Sequence, residues 1–566
     1  MALAVAWLAW TADHARRDLV AVRSGLPAVT AALRAGDGPA ASRALSAIQG
    51  HARSAEQHTS DPLWWAVSKL PVVGRTPAQV RGVSAAVHQL TQETLPTAVL
   101  IADKLRPSRV RPAEGQVDVG VVAASAADAH RAARTSGDVL KQLRATPSHG
   151  LLASVDAARL ALLAEVRRAH DALSAVDLAT HVLPQMLGNE GTKRYFVAFQ
   201  NNAEARATGG LVGSYAILQA DHGKLTLAHV GSARELPLTA KPVVELGAEY
   251  DARYRSQAPA RDIRNSNASP HFPYAAQIWQ GLWQQRTGEQ LDGAFAVDPV
   301  AASYVLGATG SVVLGNGRVV TGSSLVDLVE SRSYAEISDS AVRDQFQSAV
   351  ASAVFKRIVR ARADQVHGLL TALAKAAGEG RVLAYSNTAD VEQRLSGTRV
   401  AGVLAEQTGP FAGVVITNAA GSKLDYYLRR SVRYEASACG ASRRISQVRV
   451  RLANTAPGRG LPSYVTVRAD VTGKPPPAGT ERLLVSLYAT PGAQLLSVTQ
   501  DGLRIGAVSE HERGHPVFTV DVEIPPSSAI TLAYTVDEPS LHGAPQVPLQ
   551  PLVDDPGVSV SVPVCS

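Results

Sequence analysis

Residues Arg194–Leu218 read "RYFVAFQNNAEARATGGLVGSYAIL", and this stretch decides the fold of the middle of the chain. Its flanks, "RYFVAF" and "YAILQA", are apolar and aromatic runs of strand length. Between them Gln200–Ser214 carries two asparagines, a glutamate, an arginine, a threonine and three glycines. Strand connections usually face solvent and vary freely, so this density of hydrogen-bonding groups and backbone freedom asks for a purpose. Two remain open. The glycines let the backbone approach a ligand whose site Glu204 and Arg206 line, or the two side chains hold the connection together as an internal ion pair.

Working towards the C-terminus, "KLTLAHV", "PYAAQIWQGLWQQRTG", "GAFAVDP", "SVVL", a long helical run from Asp339 and "RVLAYS" mix strands with helices. That mixture predicts an α/β domain over 191–411. Towards the N-terminus the chain is alanine-rich with helical spacing, which predicts a helical region over 13–190. One helix ends at Gly36, a second follows, Pro71 and Gly74 break the pattern, and further helices are expected near 77–104, 117–144 and 149–175. No heptad is sustained, so packed hairpins are expected rather than a coiled coil. From 412 to 566 the runs are nearly all strand, among them "DYYLRRSVRYEAS", "SYVTVRADVT" and "AITLAYTV". They predict a β-sandwich of immunoglobulin type or similar, with a proline-rich tail before a last strand, "VSVSVPVCS". The whole is a multidomain α+β chain.

At 566 residues the chain exceeds what one core can serve. Its net charge of +7 is spread without a dense Lys/Arg run, which suits an anionic ligand, a membrane surface or a polyanionic wall and gives no case for nucleic acid. The two cysteines, Cys439 and Cys565, form an even pair with one member at the terminus, which predicts a disulfide and an oxidising compartment. The start, "MALAVAWLAWTADHARRDL", holds about a dozen apolar or small residues where a span needs roughly 20. Residues 1–12 are read as the outer part of a single-pass membrane anchor, with Trp7 and Trp10 as interfacial aromatics and the bulk of the chain extracytoplasmic. The other reading is the apolar first turns of a soluble helix.

No P-loop, HExxH, CxxC, G-x-S-x-G or dinucleotide glycine fingerprint occurs, and the 15 histidines show no ligand spacing. What remains is a set of arginines and polar groups at element ends: Glu204, Arg206, Arg234, Glu235, Arg261, Arg264, Arg332, Asp339, Arg343 and Gln347. Arg343 and Gln347 are four apart and share a helix face. Arginine grips phosphate oxygens with a bidentate fork, so converging arginines point to a phosphorylated ligand.

The runs "RYFVAFQNNAEARATGGLVGSYAIL", "NASPHFPYAAQIW" and "LDGAFAVDPVAASYVLGATGSV" resemble domain of unknown function 4012, a family known mainly from actinobacteria near exopolysaccharide genes. His271 stands where that family's pattern carries an acidic residue. More remotely, "SYAILQADHGKLTLAHVGSARELPL" and "SLVDLVESRSYAEISDSAVRDQFQ" resemble segments of the LytR–CpsA–Psr family, which moves polyprenyl-pyrophosphate-linked glycans onto cell-wall acceptors. That resemblance implies a LytR–CpsA–Psr-like central domain, with Arg234, Arg332, Arg343 and Gln347 contacting pyrophosphate; Glu204 and Arg206 join the candidate ligand-binding residues from the reading of the stretch itself. It also implies a Mg²⁺ site, with Glu235 or Asp339 as base or metal ligand. Two positions depart: Glu330 replaces an arginine, and Ser214 falls near the metal-binding aspartate.

Two functions follow. One is an envelope or exopolysaccharide-assembly protein that binds a polyprenyl-(pyro)phosphate-type ligand, with transfer of its glycan or pyrophosphatase action as the enzymatic form. The other is a non-catalytic envelope scaffold or glycan-binding protein. The expected partners are a polyprenyl-linked glycan or cell-wall polymer and, through the N-terminus, the membrane.

Overall fold

The computed structural model describes residues 2–111, 115–148, 152–404, 409–471 and 473–565. The chain divides into two compact units: Met1–Thr192 with Asp221–Lys224, and Lys193–Ala220 with Leu225–Ser566.

The first unit is helical. Ala2–Arg34 and Gly38–Thr59 form an antiparallel hairpin that turns at Gly36, where φ is +68°. Asp37 and Asp61 each cap a helix, accepting from Ala40 N and Trp64 N with a proline in the first turn. Arg75–Gln89 continues through a π turn into Leu95–Lys104, and Ala126–Ala145 and Ala153–Met186 complete the array. The small and aliphatic stripes meet around Val22, Leu45, Ile48, Val87, Leu143 and Val166. Residues 149–151, the expected start of the helix near 149–175, lie outside the described residues.

The structure does not support the single-pass anchor expected over residues 1–12. Among the described residues no helix is long and apolar enough to cross a membrane. After its apolar start the helix meets Asp13, His14, Arg16, Arg17 and Asp18. Its early turns also have partners inside the unit: Trp7 Nε1 donates to Asp61 (2.9 Å), and Thr11 Oγ1 accepts from Trp64 Nε1 (2.9 Å). Met1 lies outside the described residues.

The second unit opens with β1 (Lys193–Arg206), β2 (Gly209–Asp221), β3 (Lys224–Ser232) and β4 (Gly293–Val297). A short hairpin follows, β5 (Val312–Val313) and β6 (Val319–Val320), and then β7 (Val382–Ser386). The main sheet has the order β3-β2-β1-β4-β7. β1 runs parallel to β4 and antiparallel to β2, and β4 is antiparallel to β7, so the sheet is mixed. The period of two divides its faces. Phe196, Ala198, Tyr215 and Ile217 pack on the helix Phe272–Thr287 through Trp279. Val197, Phe199, Phe295 and Val297 face the helices Pro299–Thr309 and Ser340–Val359.

The β-rich part holds β8 (Ala412–Asn418), β9 (Leu428–Ala436), β10 (Arg443–Asn454), β11 (Glu481–Ala489) and β12 (Gln494–Gln500). It continues with β13 (Leu503–Ile505), β14 (Val508–Glu512), β15 (His515–Ile524), β16 (Ser528–Pro539) and β17 (Gly557–Ser561). Sheets β13-β12-β16-β10-β9-β17 and β14-β15-β11-β8 share one core that includes Tyr434, Val450, Leu483, Leu487, Phe518 and Leu532. Cys439 and Cys565 form a disulfide that closes 126 residues of sequence. "SYVTVRADVT", expected as a strand, instead begins with the short helix Ser463–Thr466 and continues without regular structure as far as it is described; residue 472 lies outside the described residues. Pro462 sets the start of that turn, and β-branched composition yields to its surroundings.

Candidate functional site

The stretch from Gln200 to Arg206 is not a solvent-facing connection. It is the buried end of β1, paired with β2 across a tight turn at Ala207–Thr208. The register shifts between Phe199 and Gln200 and again between Asn201 and Ala205, so Asn202–Glu204 bulge out of the ladder. The freed N–H groups are taken by side-chain carboxyl groups: Glu330 accepts from Asn202 N (3.0 Å) and Ala203 N (2.6 Å), and Asp425 from Ala205 N (2.6 Å). Asn267 Nδ2 donates to Thr208 Oγ1 (2.8 Å) and to the Gly210 carbonyl (2.9 Å). Gly210 must be glycine because a Cβ would collide with the Asn201 backbone. Backbone approach is thus needed by the chain itself.

Glu204 and Arg206 form an ion pair (2.8 Å), and Lys423 joins Glu204 from the β-rich part. Burial alone would raise the Glu204 carboxyl, but Arg206 and Lys423 overcome it and hold the group below the ordinary range. Arg206 also donates to the carbonyls of Arg264, Ala205 and Asn418. Glu330 is fully enclosed, and burial pushes its carboxyl up to about 8 against the pull of its two N–H donors. His271 is buried and accepts from Leu404 N. Burial, aided by Arg513, lowers its pKa to about 3, so it is neutral.

Beside this junction lies a polar pocket of about 630 Å³. Of the expected ligand-binding residues it brings together Glu204, Arg234, Arg343 and Gln347, with Arg264 and Tyr334 beside them, and it adds Lys423 and Tyr464. Arg234 is held at the rim by Asp344 (3.0 Å), itself bonded by Ser232 Oγ (2.9 Å). Arg264 is clamped to Asp262 (2.7 Å). Arg343 is 2% exposed, donates through Nη1 to the Ile337 carbonyl (2.9 Å), and stacks on the rings of Tyr464 (4.0 Å) and Tyr334 (5.1 Å). Its buried Nη2 has no hydrogen-bond acceptor, and no carboxylate among the described residues pairs with it.

Next to the polar pocket is an apolar cavity of about 320 Å³ between the sheet and the helices Pro299–Thr309 and Ser340–Val359. Val197, Phe199, Leu218, Val305, Val350 and Phe355 line it. Asn201, Gly213 and Gln347 line both spaces, so the apolar cavity adjoins the arginine pocket.

The remaining expected residues stand elsewhere. Arg206 backs Glu204 and does not line the pocket. Arg332 is exposed and paired with Glu336 (2.8 Å). Glu235 closes a capping box with Ser232 and pairs with His229 (3.2 Å) and Arg286 (3.5 Å). Asp339 caps the helix Ser340–Val359 by accepting from Ala341 N (2.7 Å) and Val342 N (3.0 Å). Among the described residues no group of three or more His, Cys, Asp or Glu is placed to hold a metal ion. The pocket's carboxylates Glu204, Asp262 and Asp344 are each engaged by cations, and Ser214 offers no carboxylate, so this donor set does not fit Mg²⁺.

Residues 190–334 match the model of a family described as protein of unknown function (DUF4012). The DUF4012 segment covers β1–β4, both bulges, Arg234, Arg264 and Tyr334, whereas Arg343, Gln347, Lys423 and Tyr464 are supplied by the chain beyond it. No curated protein matches the chain. A solved structure, a putative nutrient binding protein from Legionella pneumophila subsp. pneumophila str. Philadelphia 1, is similar at 6% identity and a TM-score of 0.16. It aligns over 25% of this chain and 49% of its own length, so the chain spans about half of that protein.

Proposed function

We propose that the second unit binds an amphiphile with a long apolar chain and a phosphate-type head, of the polyprenyl phosphate or pyrophosphate class, in envelope or exopolysaccharide assembly. The observation that carries this reading is Arg343. A buried guanidinium with an unused N–H and, among the described residues, no carboxylate at ion-pair distance is costly, and an anion in the pocket that Arg343 lines offsets that charge. Around it Arg234, Arg264 and Lys423, each held by a carboxylate, offer further N–H donors to the head, and the adjoining cavity accepts the chain. The remote LytR–CpsA–Psr resemblance leads to the same ligand class.

Transfer of a glycan would also need a base or metal at the head. The engaged state of Glu204, Asp262 and Asp344 favours a binding or carrier role over transfer chemistry.

The test is titration of the protein with a short-chain polyprenyl pyrophosphate. A lost hydrogen bond to a charged group costs about 1.5–3 kcal/mol, so Arg343→Ala should weaken binding about tenfold or more. Exposed Arg234 should contribute less. No binding by the parent protein, or unchanged affinity in Arg343→Ala, would leave the scaffold reading as the better one.

A further inference from the structure

The helical unit ends in an apolar surface that its own packing does not use. The hairpin Ala2–Arg34/Gly38–Thr59 aligns Asp18 with His51 (2.7 Å) and Trp10 with His58 (5.5 Å). The helix Arg75–Gln89 runs back along the second of these. Arg81 Nε donates to the Thr59 carbonyl (3.1 Å), while Gln49 and Gln92 bond across to the carbonyls of Thr91 and Gln49. At about 1.5 Å of rise per residue, Arg75 reaches about 9 Å past Thr59, level with the first turns of Ala2–Arg34. The connection Lys69–Gly74 therefore lies at the same end as Trp7 and Trp10.

This end is apolar and outward-facing. Trp64 is buried through its bond to Thr11, but Trp65, Leu70, Val72 and Val73 are between 49% and 62% exposed. Val72 has φ of +62°, a left-handed conformation that is costly for a β-branched residue. The turn is locked around it by Gly74 N to the Leu70 carbonyl (3.1 Å) and Arg75 N to the Val72 carbonyl (3.3 Å). Val72 and Val73 both stand exposed on this turn.

The charges match one kind of partner. Between Asp61 and Arg75 the charged residues are Asp61, Lys69 and Arg75. Asp61 is already taken by Trp64 N and Trp7 Nε1. Lys69 lies over the Trp65 ring (5.9 Å), with a stem long enough to follow apolar surface while its ammonium stays in a polar layer. Exposed tryptophan, an aliphatic turn and two flanking cations are the chemistry of a bilayer interface carrying anionic headgroups.

We propose that this end of the helical unit contacts a lipid bilayer from one side, with Trp65 and Leu70–Val73 at the headgroup–acyl boundary and Lys69 and Arg75 among anionic headgroups. No helix crosses the bilayer in this arrangement. The proposal rests on a different unit from the ligand site and does not depend on it.

The experiment is co-sedimentation of the full chain with vesicles of phosphatidylcholine, alone and mixed equally with phosphatidylglycerol. The test variant is Val72→Gly with Val73→Ser, which relieves the strained turn and so keeps the fold. The parent should bind the mixed vesicles better than the neutral ones, and the double variant should bind them about tenfold more weakly, from the apolar area removed. Arg343→Ala should bind as the parent does. The proposal is overturned if the parent stays in solution, if the double variant binds like the parent, or if Arg343→Ala abolishes binding, which would place the lipid in the other unit. It is equally overturned if the parent self-associates in solution and the double variant does not, which would make this face a contact between copies.

Discussion

Arg206 at the hairpin tip and Arg343 at the start of the helix Ser340–Val359 are both buried, 8% and 2% exposed, yet their partners differ in kind. Arg206 donates to Glu204 and to three backbone carbonyls. Arg343 has one carbonyl, two aromatic faces and an N–H with nothing to meet. The sequence offers both as arginines near strand or helix ends, and the difference lies wholly in what packs around them. A buried charge whose counter-charges are built in belongs to the fold. A buried charge without them has a place for something that arrives from outside.

The sharpest way to break this contrast is to remove the counter-charge at the tip. Glu204→Ala leaves Arg206 and Lys423 buried without their acid, and should destabilise the protein by about 3–5 kcal/mol in chemical denaturation, the range for breaking a buried pair. A loss under about 1 kcal/mol, the level of an exposed pair, would mean the junction is not the structural element described here.

The second test uses proton linkage at Glu330, which anchors the bulge. Its carboxyl titrates near 8 when folded, against 4.5 ordinarily. Between those values the folded state keeps a proton that the unfolded state has released. Its stabilising contribution is therefore complete below about pH 4.5, declines as pH rises, and is gone above about pH 8. The slope is up to about 1.4 kcal/mol per pH unit. Glu330→Gln should flatten the fall of stability with pH over this window, and an unchanged profile would contradict the assigned burial.

The smallest expected effect is the most diagnostic for Arg343. Arg343→Met removes a buried cation with no carboxylate at ion-pair distance among the described residues, and the relief of burying that charge offsets the lost ring and carbonyl contacts, so thermal and chemical stability should change by no more than about 1 kcal/mol. A loss as large as that for Glu204→Ala would place Arg343 with Arg206 as a structural residue.

Much of this architecture is legible in the sequence because it is local. The period of two in "RYFVAF" and "YAILQA" marks strands, the alanine-rich spacing marks helices, and the pair Cys439–Cys565 is the bridge expected. The polar tip is harder to read. Glu330, Lys423 and Asp425 lie between 127 and 220 residues from the atoms they hold, so no local pattern announces that Gln200–Arg206 is buried strand. Arg234, Arg343 and Gln347 line one pocket, whereas Arg332 is exposed and paired with Glu336 one turn along the same helical stretch. Tyr464 sits in a run with the composition of a strand, and its stacking on Arg343 follows from a short helical turn that tertiary packing imposes. As marks of a membrane-crossing helix, Trp7 and Trp10 mislead for a plain reason. The same spacing that suits an interfacial belt also suits rings lying against Asp61 and His58.

The bridge between Cys439, on the connection from β9 to β10, and Cys565 also sets how the protein carries mechanical load. A pull applied at the C-terminus passes through the sulfur–sulfur bond straight to Cys439. The strands from β10 to β17 hang on the closed loop as a side branch, so tension along the chain is borne by the earlier strands while those within the loop stay slack. Reducing the bridge would put the same pull on β17 first, a five-residue strand paired in parallel with β9 at the edge of its sheet.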